Sequence, residues 1–183
     1  MTAREELQPL QQGKLDGLCG LYALINAARL AVPTLSRRTC KCLFREGAHW
    51  LYDKDTFPDV LYAGMGIGKL MGLHKAVFQH RVPGLRFKRP FTRSPPADAT
   101  EFWTRLKSYA EQPCQGVIIY IESRSLNHWT VVYGVTPAKV MLFDSDGRAY
   151  LMRHRCSYTD ADEEAATVIA PNGVSILAYT QKR

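Results

Sequence analysis

Between residues 116 and 145 three β-branched and aromatic runs follow one another across turn-length gaps: GVIIYIE (116–122), HWTVVYGV (128–135) and KVMLFDS (139–145). Such runs form strands. The gaps are too short for the crossover that parallel neighbours need, so an antiparallel sheet is predicted. A last pair, ATVIA and VSILAYT, flanks Pro171-Asn172-Gly173, and Asn-Gly in that setting predicts a hairpin. Upstream the period changes. In LCGLYALINAARL, Leu18, Leu21, Leu24, Ile25 and Ala28 recur at three- and four-residue spacing and Pro33 closes the region, which predicts a helix. Ser36 can cap a second helix over 36–51, and Asp98 a further one to Glu111 with Phe102, Leu106 and Tyr109 as its apolar stripe. Residues 59–73 read as a short helical segment broken by glycines, and 82–97 as a proline-rich loop with one short strand. The expected fold is α+β, with N-terminal helices packed on a C-terminal antiparallel sheet. Residues 1–183 form one domain, which could equally be a module of a longer protein.

Composition narrows the class. Apolar residues make up 46% and charged residues 22% of the chain, as in ordinary globular proteins. No apolar run is long enough to span a membrane, and MTAREELQPLQQ has no leader-like apolar stretch. A cytoplasmic protein with no membrane partner is therefore expected. The net charge of +7 is scattered, with one loose cluster at Arg81, Arg86, Lys88, Arg89 and Arg93. Without a zinc-finger spacing, an RNA-recognition signature or a dense basic block, no nucleic-acid partner is expected. Five cysteines at 19, 40, 42, 114 and 156 make no disulfide framework. Cys40 and Cys42 point to different faces of a helix, so no metal site is expected. The GMGIG run at 64–68 follows no strand pattern and lacks the GK[ST] ending of a phosphate loop.

Three residues carry chemistry together. Cys19 starts the first helix, His128 starts a strand, and Asp144 ends the next strand. A helix N-terminus and a neighbouring imidazolium both favour a thiolate, the nucleophilic form of cysteine. A histidine beside it can hold the proton and pass it to a leaving group. A carboxylate on the far side of the ring fixes tautomer and orientation. A hairpin turning through Thr136-Pro137-Ala138-Lys139 makes His128 and Asp144 neighbours. Taken singly, a cysteine at a helix start or a histidine before a strand reads as packing. Their joint occurrence on compatible elements reads as a site. Trp129 is either a lid over the His–Asp pair or core packing.

The residues G-L-C-G-L-Y-A-L, N-H-W-T-V-V-Y-G-V and L-F-D-S-D-G, in that order, resemble the papain-like cysteine peptidases. The nearest branch is the bacteriocin-processing peptidases that cut after Gly-Gly. The likeness covers about half the chain, around 12–30 and 116–147, whereas 36–97 matches nothing. It implies a papain-like fold, Cys19 as nucleophile, His128 as acid/base, Asp144 as orienter and an upstream glutamine at the oxyanion, with no cofactor and no metal. The family's glutamine usually lies six residues before the cysteine, and Gly13 stands there. Gln12 is the nearest candidate, with Gln11 behind it. Asp146 competes with Asp144 as the third member. D-G-x-C at 16–19 is also similar to the ovarian-tumour-type deubiquitinases, which makes Asp16 a helix cap or a loop organiser.

The expected function is a cysteine peptidase acting on a protein or peptide substrate. The size and charge also resemble papain-like toxin modules that bacteria deliver into the cytosol of competitors, which implies a cytosolic target protein and a cognate inhibitor. Two alternatives stay open: a transglutaminase or glutamine deamidase using the same triad, and a non-catalytic adaptor on the same fold.

Overall fold

Two helix starts fall where the sequence supplies a side-chain acceptor, Ser36 and Asp98. The computed structural model describes residues 7–13, 16–54, 57–124, 126–159 and 166–180. The first six residues of the N-terminal stretch read above for a leader lie outside them. Helix α1 spans Cys19–Ala31 and α2 spans Arg37–Asp53, where the Ser36 hydroxyl accepts the Thr39 N–H at 3.0 Å. The glycine-broken stretch resolves into α3 (Phe57–Ala63) and α4 (Ile67–Leu73), separated by Gly64-Met65-Gly66. Gly64 has φ +73°, a backbone state that costs other residues more. The chain leaves α4 through a π-helical turn, His74–Phe78, ending at Arg81. Strand β1 (Leu85–Lys88) follows, then α5 (Ala99–Glu111), whose first turn is capped by Asp98 accepting the Glu101 N–H at 2.8 Å.

The remaining strands are β2 (Gln115–Glu122), β3 (Asn127–Val135), β4 (Lys139–Leu142), β5 (Tyr150–Met152), β6 (Cys156–Ser157), β7 (Thr167–Val168) and β8 (Ser175–Tyr179). Their order is β1-β8-β2-β3-β4-β5, antiparallel throughout, with β7 also on β2 and a short parallel β6–β7 pair beside it. The α+β arrangement of N-terminal helices and a C-terminal sheet is thus present, with two differences from the sequence reading. The short strand of the proline-rich loop joins the sheet, pairing Leu85 with Tyr179 through Lys88 with Ile176. Pro171-Asn172-Gly173 is a 3-10 turn and not a hairpin. β7 and β8 do not pair with each other; both pair with β2, at Glu122–Val168 and at Gln115–Ala178 through Ile118–Ser175. The free edge of β2 offers more ladder bonds than a two-residue reversal would, so the chain continues along it.

Strand alternation divides the core between the two sheet faces. Ile118, Trp129, Val131 and Leu177 pack with α1, α2 and α4 on one face. Val117, Ile119, Val132, Leu142 and Ile176 pack with Phe102, Trp103 and Leu106 of α5 on the other. Helix α1 is buried along almost its whole length. Its alanines let it lie so close to β2 that a Cβ placed on Gly116 would meet the Ala27 carbonyl oxygen at 2.2 Å and its Cα at 2.6 Å. This contact fixes the height of α1 over the sheet, and therefore where its first residue, Cys19, stands. Cys40 is buried and Cys42 half-buried, on different faces of α2. No described helix is long and apolar enough to cross a membrane.

Candidate active site

The β3–β4 hairpin builds the first half of the site. Its register pairs Val132 with Leu142, and the Phe143 N–H continues it to the Val131 carbonyl at 2.8 Å. One step further sets Asp144 across from Thr130, diagonal to His128. The His128 ring donates through Nε2 to Asp144 Oδ1 at 2.6 Å. Both are nearly sealed from solvent, at 3% and 1% exposure. The second carboxylate oxygen, Oδ2, accepts the N–H groups of Asp146 and Arg148 at 3.0 and 3.1 Å. Between Asp144 and Asp146, the structure brings only Asp144 to the histidine. Asp146 contributes its backbone N–H to the other carboxylate, and its own side chain faces Arg148 at 3.7 Å.

The electrostatics follow from this geometry. Burial raises the Asp144 pKa, but the His128 hydrogen bond and charge and the Arg148 N–H outweigh it, so the carboxyl is held below its ordinary value. Thr130 helps to hold it down, although its buried Oγ1 makes no regular hydrogen bond among the described residues. Burial likewise works against the imidazolium of His128. The Asp144 hydrogen bond and charge, with the influence of the nearby Cys19 thiol, win and raise the ring's pKa to about 9, although the hydrogen bond of Cys19 Sγ itself goes to the Gly17 carbonyl at 3.9 Å. Since Nε2 is engaged by Asp144, Nδ1 is the nitrogen left for Cys19.

Cys19 reaches the ring from α1. Leu18 stands at the helix N-cap with no side-chain cap, and the Cys19 N–H makes no hydrogen bond among the described residues, as first-turn donors often do not. Asp16 organises the loop and does not cap the helix. Its Oδ1 accepts the Leu18 N–H at 3.1 Å and its Oδ2 the Gly13 N–H at 2.9 Å. The Gly17 N–H donates to the Leu61 carbonyl at 2.8 Å, and a Cβ on Gly17 would collide with the Val60 and Leu61 carbonyls. Only glycine lets the two segments meet there.

Both glutamines reach the Asp144 region on a strap, residues 7–13, lying across α1. The buried Asn26 side chain satisfies both backbone groups of Leu10, at 2.8 and 3.1 Å, and Arg29 donates to the Gln8 carbonyl. At the far end the Gln12 N–H donates to the Ser145 carbonyl at 3.0 Å. The side chains then divide. Gln11 spends its Nε2 donor on the Asp144 carbonyl at 3.1 Å. Gln12 accepts the Ser145 hydroxyl on Oε1 at 3.0 Å, which leaves its Nε2 donors unused among the described residues.

Cys19 also lines a cleft of about 340 Å³ that the sequence reading did not foresee. The Gly64-Met65-Gly66 segment contributes to it, with Tyr120 and Trp129 from the sheet and with Arg89 and Asn172. Trp129 proves to be packing and tether together. It is 3% exposed, stacks obliquely on Tyr120 at 4.8 Å and donates Nε1–H to the Met65 carbonyl at 2.6 Å. The glycine run unsuited to phosphate is thus cleft lining held by the residue next to His128. Among the described residues no three His, Cys, Asp or Glu side chains gather as a metal would require. Comparison with family models, curated proteins and solved structures returns no match to this chain.

Proposed function

We propose that the protein is a papain-like cysteine peptidase acting on protein or peptide substrates, with Cys19 as nucleophile, His128 as acid/base and Asp144 as orienter. The observation that carries the reading is the sealed His128–Asp144 pair, 2.6 Å apart, with the Cys19 thiol near enough to the ring to help raise its pKa. A protonated ring at neutral pH is the partner a thiolate needs. In the first step the Cys19 sulfur adds to the scissile carbonyl carbon. The tetrahedral intermediate then collapses, the C–N bond breaks, and the leaving amine takes its proton from His128. Water next attacks the thioester, giving one proton back to His128, and the C–S bond breaks to release a carboxylic acid and restore the pair. In this reading the oxyanion is held by the Cys19 N–H and by Gln12 Nε2, donors without a partner among the described residues.

Gln12 is preferred to Gln11 because Gln11 has already committed its donor to Asp144. Gln12→Ala is expected to lower kcat by about 10²- to 10³-fold with KM little changed, as loss of one oxyanion donor does. Gln11→Ala should cost much less. Steady-state kinetics on any cleaved peptide checks this, and equal losses in the two variants would remove Gln12 from the oxyanion.

The reaction class is tested by mass spectrometry of a cell lysate treated with wild type or with Cys19→Ala. New peptide N-termini present only with wild type support the peptidase. Glutamine-to-glutamate conversion or new cross-links would instead support the deamidase or transglutaminase, and no Cys19-dependent change would support the adaptor. A Gly-Gly preference and delivery as an interbacterial toxin rest on resemblance alone. Cleavage sites in the same experiment, and growth of cells expressing the wild type, bear on each.

A further inference from the structure

Resting on the reading of the cleft as a peptide site, we infer that Arg89 holds a carboxylate of the substrate, so that cleavage occurs beside an acidic residue or close to a free C-terminus. Among the residues lining the cleft, Arg89 is the one permanent charge, and no Asp or Glu lines it. Arg89 follows β1 directly, and its Nη2 donates to the Asn172 carbonyl at 2.9 Å. Among the described residues its buried Nε–H has no hydrogen-bond partner and no carboxylate pairs with it. A guanidinium carries five N–H donors in a planar fork, and here one is used.

Arg105 shows how the same fold treats a structural guanidinium. It pairs with Glu101 at 3.0 Å, donates to the Ser94 carbonyl at 2.9 Å and lies over the Phe91 ring. Arg89 has neither counter-charge nor full hydrogen bonding, although it is half-buried. A partly desolvated cation left so is unfavourable unless a ligand completes it. The fork matches a carboxylate through two parallel N–H···O bonds. Arg89 and Cys19 line one cleft of about 340 Å³, at the small end for a ligand site. The carboxylate on Arg89 therefore belongs to a residue at or next to the scissile carbonyl.

Two reagents of nearly equal shape test the charge directly. Iodoacetate and iodoacetamide alkylate a thiolate by the same step, in which the S–C bond forms as iodide leaves, but only the first carries a carboxylate. Alkylation rates at Cys19 are read by peptide mass spectrometry, with Cys42 and Cys114 as references in the same molecule. The iodoacetate-to-iodoacetamide ratio should be higher at Cys19 than at the references. It should fall about tenfold or more in Arg89→Gln and be largely kept in Arg89→Lys. A ratio unchanged by Arg89→Gln overturns the inference, whatever the enzyme's reaction.

Three peptide series then separate the sources of the carboxylate. One has Asp or Glu beside the scissile bond and an amidated end, one is neutral with a free C-terminus near the bond, and one is neutral and amidated. Faster cleavage of the first assigns Arg89 to an acidic side chain, and of the second to the C-terminus. In either case Arg89→Gln should bring kcat/KM of the preferred series down towards that of the neutral, amidated one. Equal rates in all three overturn the inference and leave the peptidase standing. If none is cleaved the peptidase reading loses support, and the alkylation ratio still decides for or against Arg89.

Discussion

His128→Ala is expected to lower kcat/KM by about 10⁴-fold, at the upper end of what an acid/base group supplies, because in the proposed reaction the ring also pairs with the attacking sulfur. The same change should erase the kinetic lead of Cys19 over Cys42 and Cys114 towards iodoacetamide at neutral pH. Both readings are needed. Loss of turnover alone could reflect unfolding, since removal of the ring leaves a buried Asp144 with its two backbone donors and no cation. Asp144→Asn is the gentler companion. It keeps the ring and the size of its partner, and should lower turnover by about 10²-fold. If His128→Ala keeps a folded spectrum and wild-type turnover, the histidine has no role in the reaction.

The pH profile carries the same chemistry. The proposed reaction needs the ring protonated, so the basic limb of kcat/KM should lie near the raised His128 pKa of about 9. In Asp144→Asn the carboxylate charge that holds it up is lost while an acceptor oxygen remains, and the limb should move to lower pH. Stability follows linkage. The raised His128 pKa contributes stability that is complete below its ordinary 6.5 and is lost as pH rises through about 9. The lowered Asp144 pKa contributes stability present above its ordinary 3.8 and lost as pH falls through the depressed value. Thermal melts across pH should therefore show a broad plateau flanked by both losses, and Asp144→Asn should flatten it on both sides.

What was legible in the sequence was whatever short-range geometry decides. Caps at Ser36 and Asp98, the period of α1 and the tight β3–β4 turn are local, and the turn alone brings His128 to Asp144. The choice between Gln11 and Gln12 was not legible. It depends on Asn26 and Ser145 fixing the strap's backbone and so which way each side chain points. Nor was the cleft, whose lining joins residue 65 to residue 129 and residue 89 to residue 172 through single hydrogen bonds. No periodic pattern announces such closures. The Asn-Gly signal at 172–173 misled for a related reason, because a local turn preference competed with an open sheet edge and lost.

Gly116→Ala is expected to destabilise the protein by about 3 kcal/mol, the upper part of the usual overpacking range. The argument is steric and has no soft side. The added Cβ would meet the Ala27 carbonyl oxygen, Cα and carbonyl carbon at 2.2, 2.6 and 2.7 Å. All three are backbone atoms of a helix packed on its other side by α2 and α4, so no side chain can swing away. Relief requires α1 to rise from β2, opening a layer that packs at crystal-like density. Over a domain of this length the cost corresponds to a fall in Tm of roughly 10 °C, read by calorimetry. Because Cys19 begins that helix, Gly116→Ala should also slow Cys19 alkylation relative to Cys114, although neither mutated nor struck atom belongs to the site. Gly68→Ala is the control, with nothing within 4 Å of its added Cβ and a better helix former in α4. It should leave Tm unchanged or slightly raised. Equal melting of the two variants would show that α1 does not rest on Gly116, and that the position of the thiol is set elsewhere.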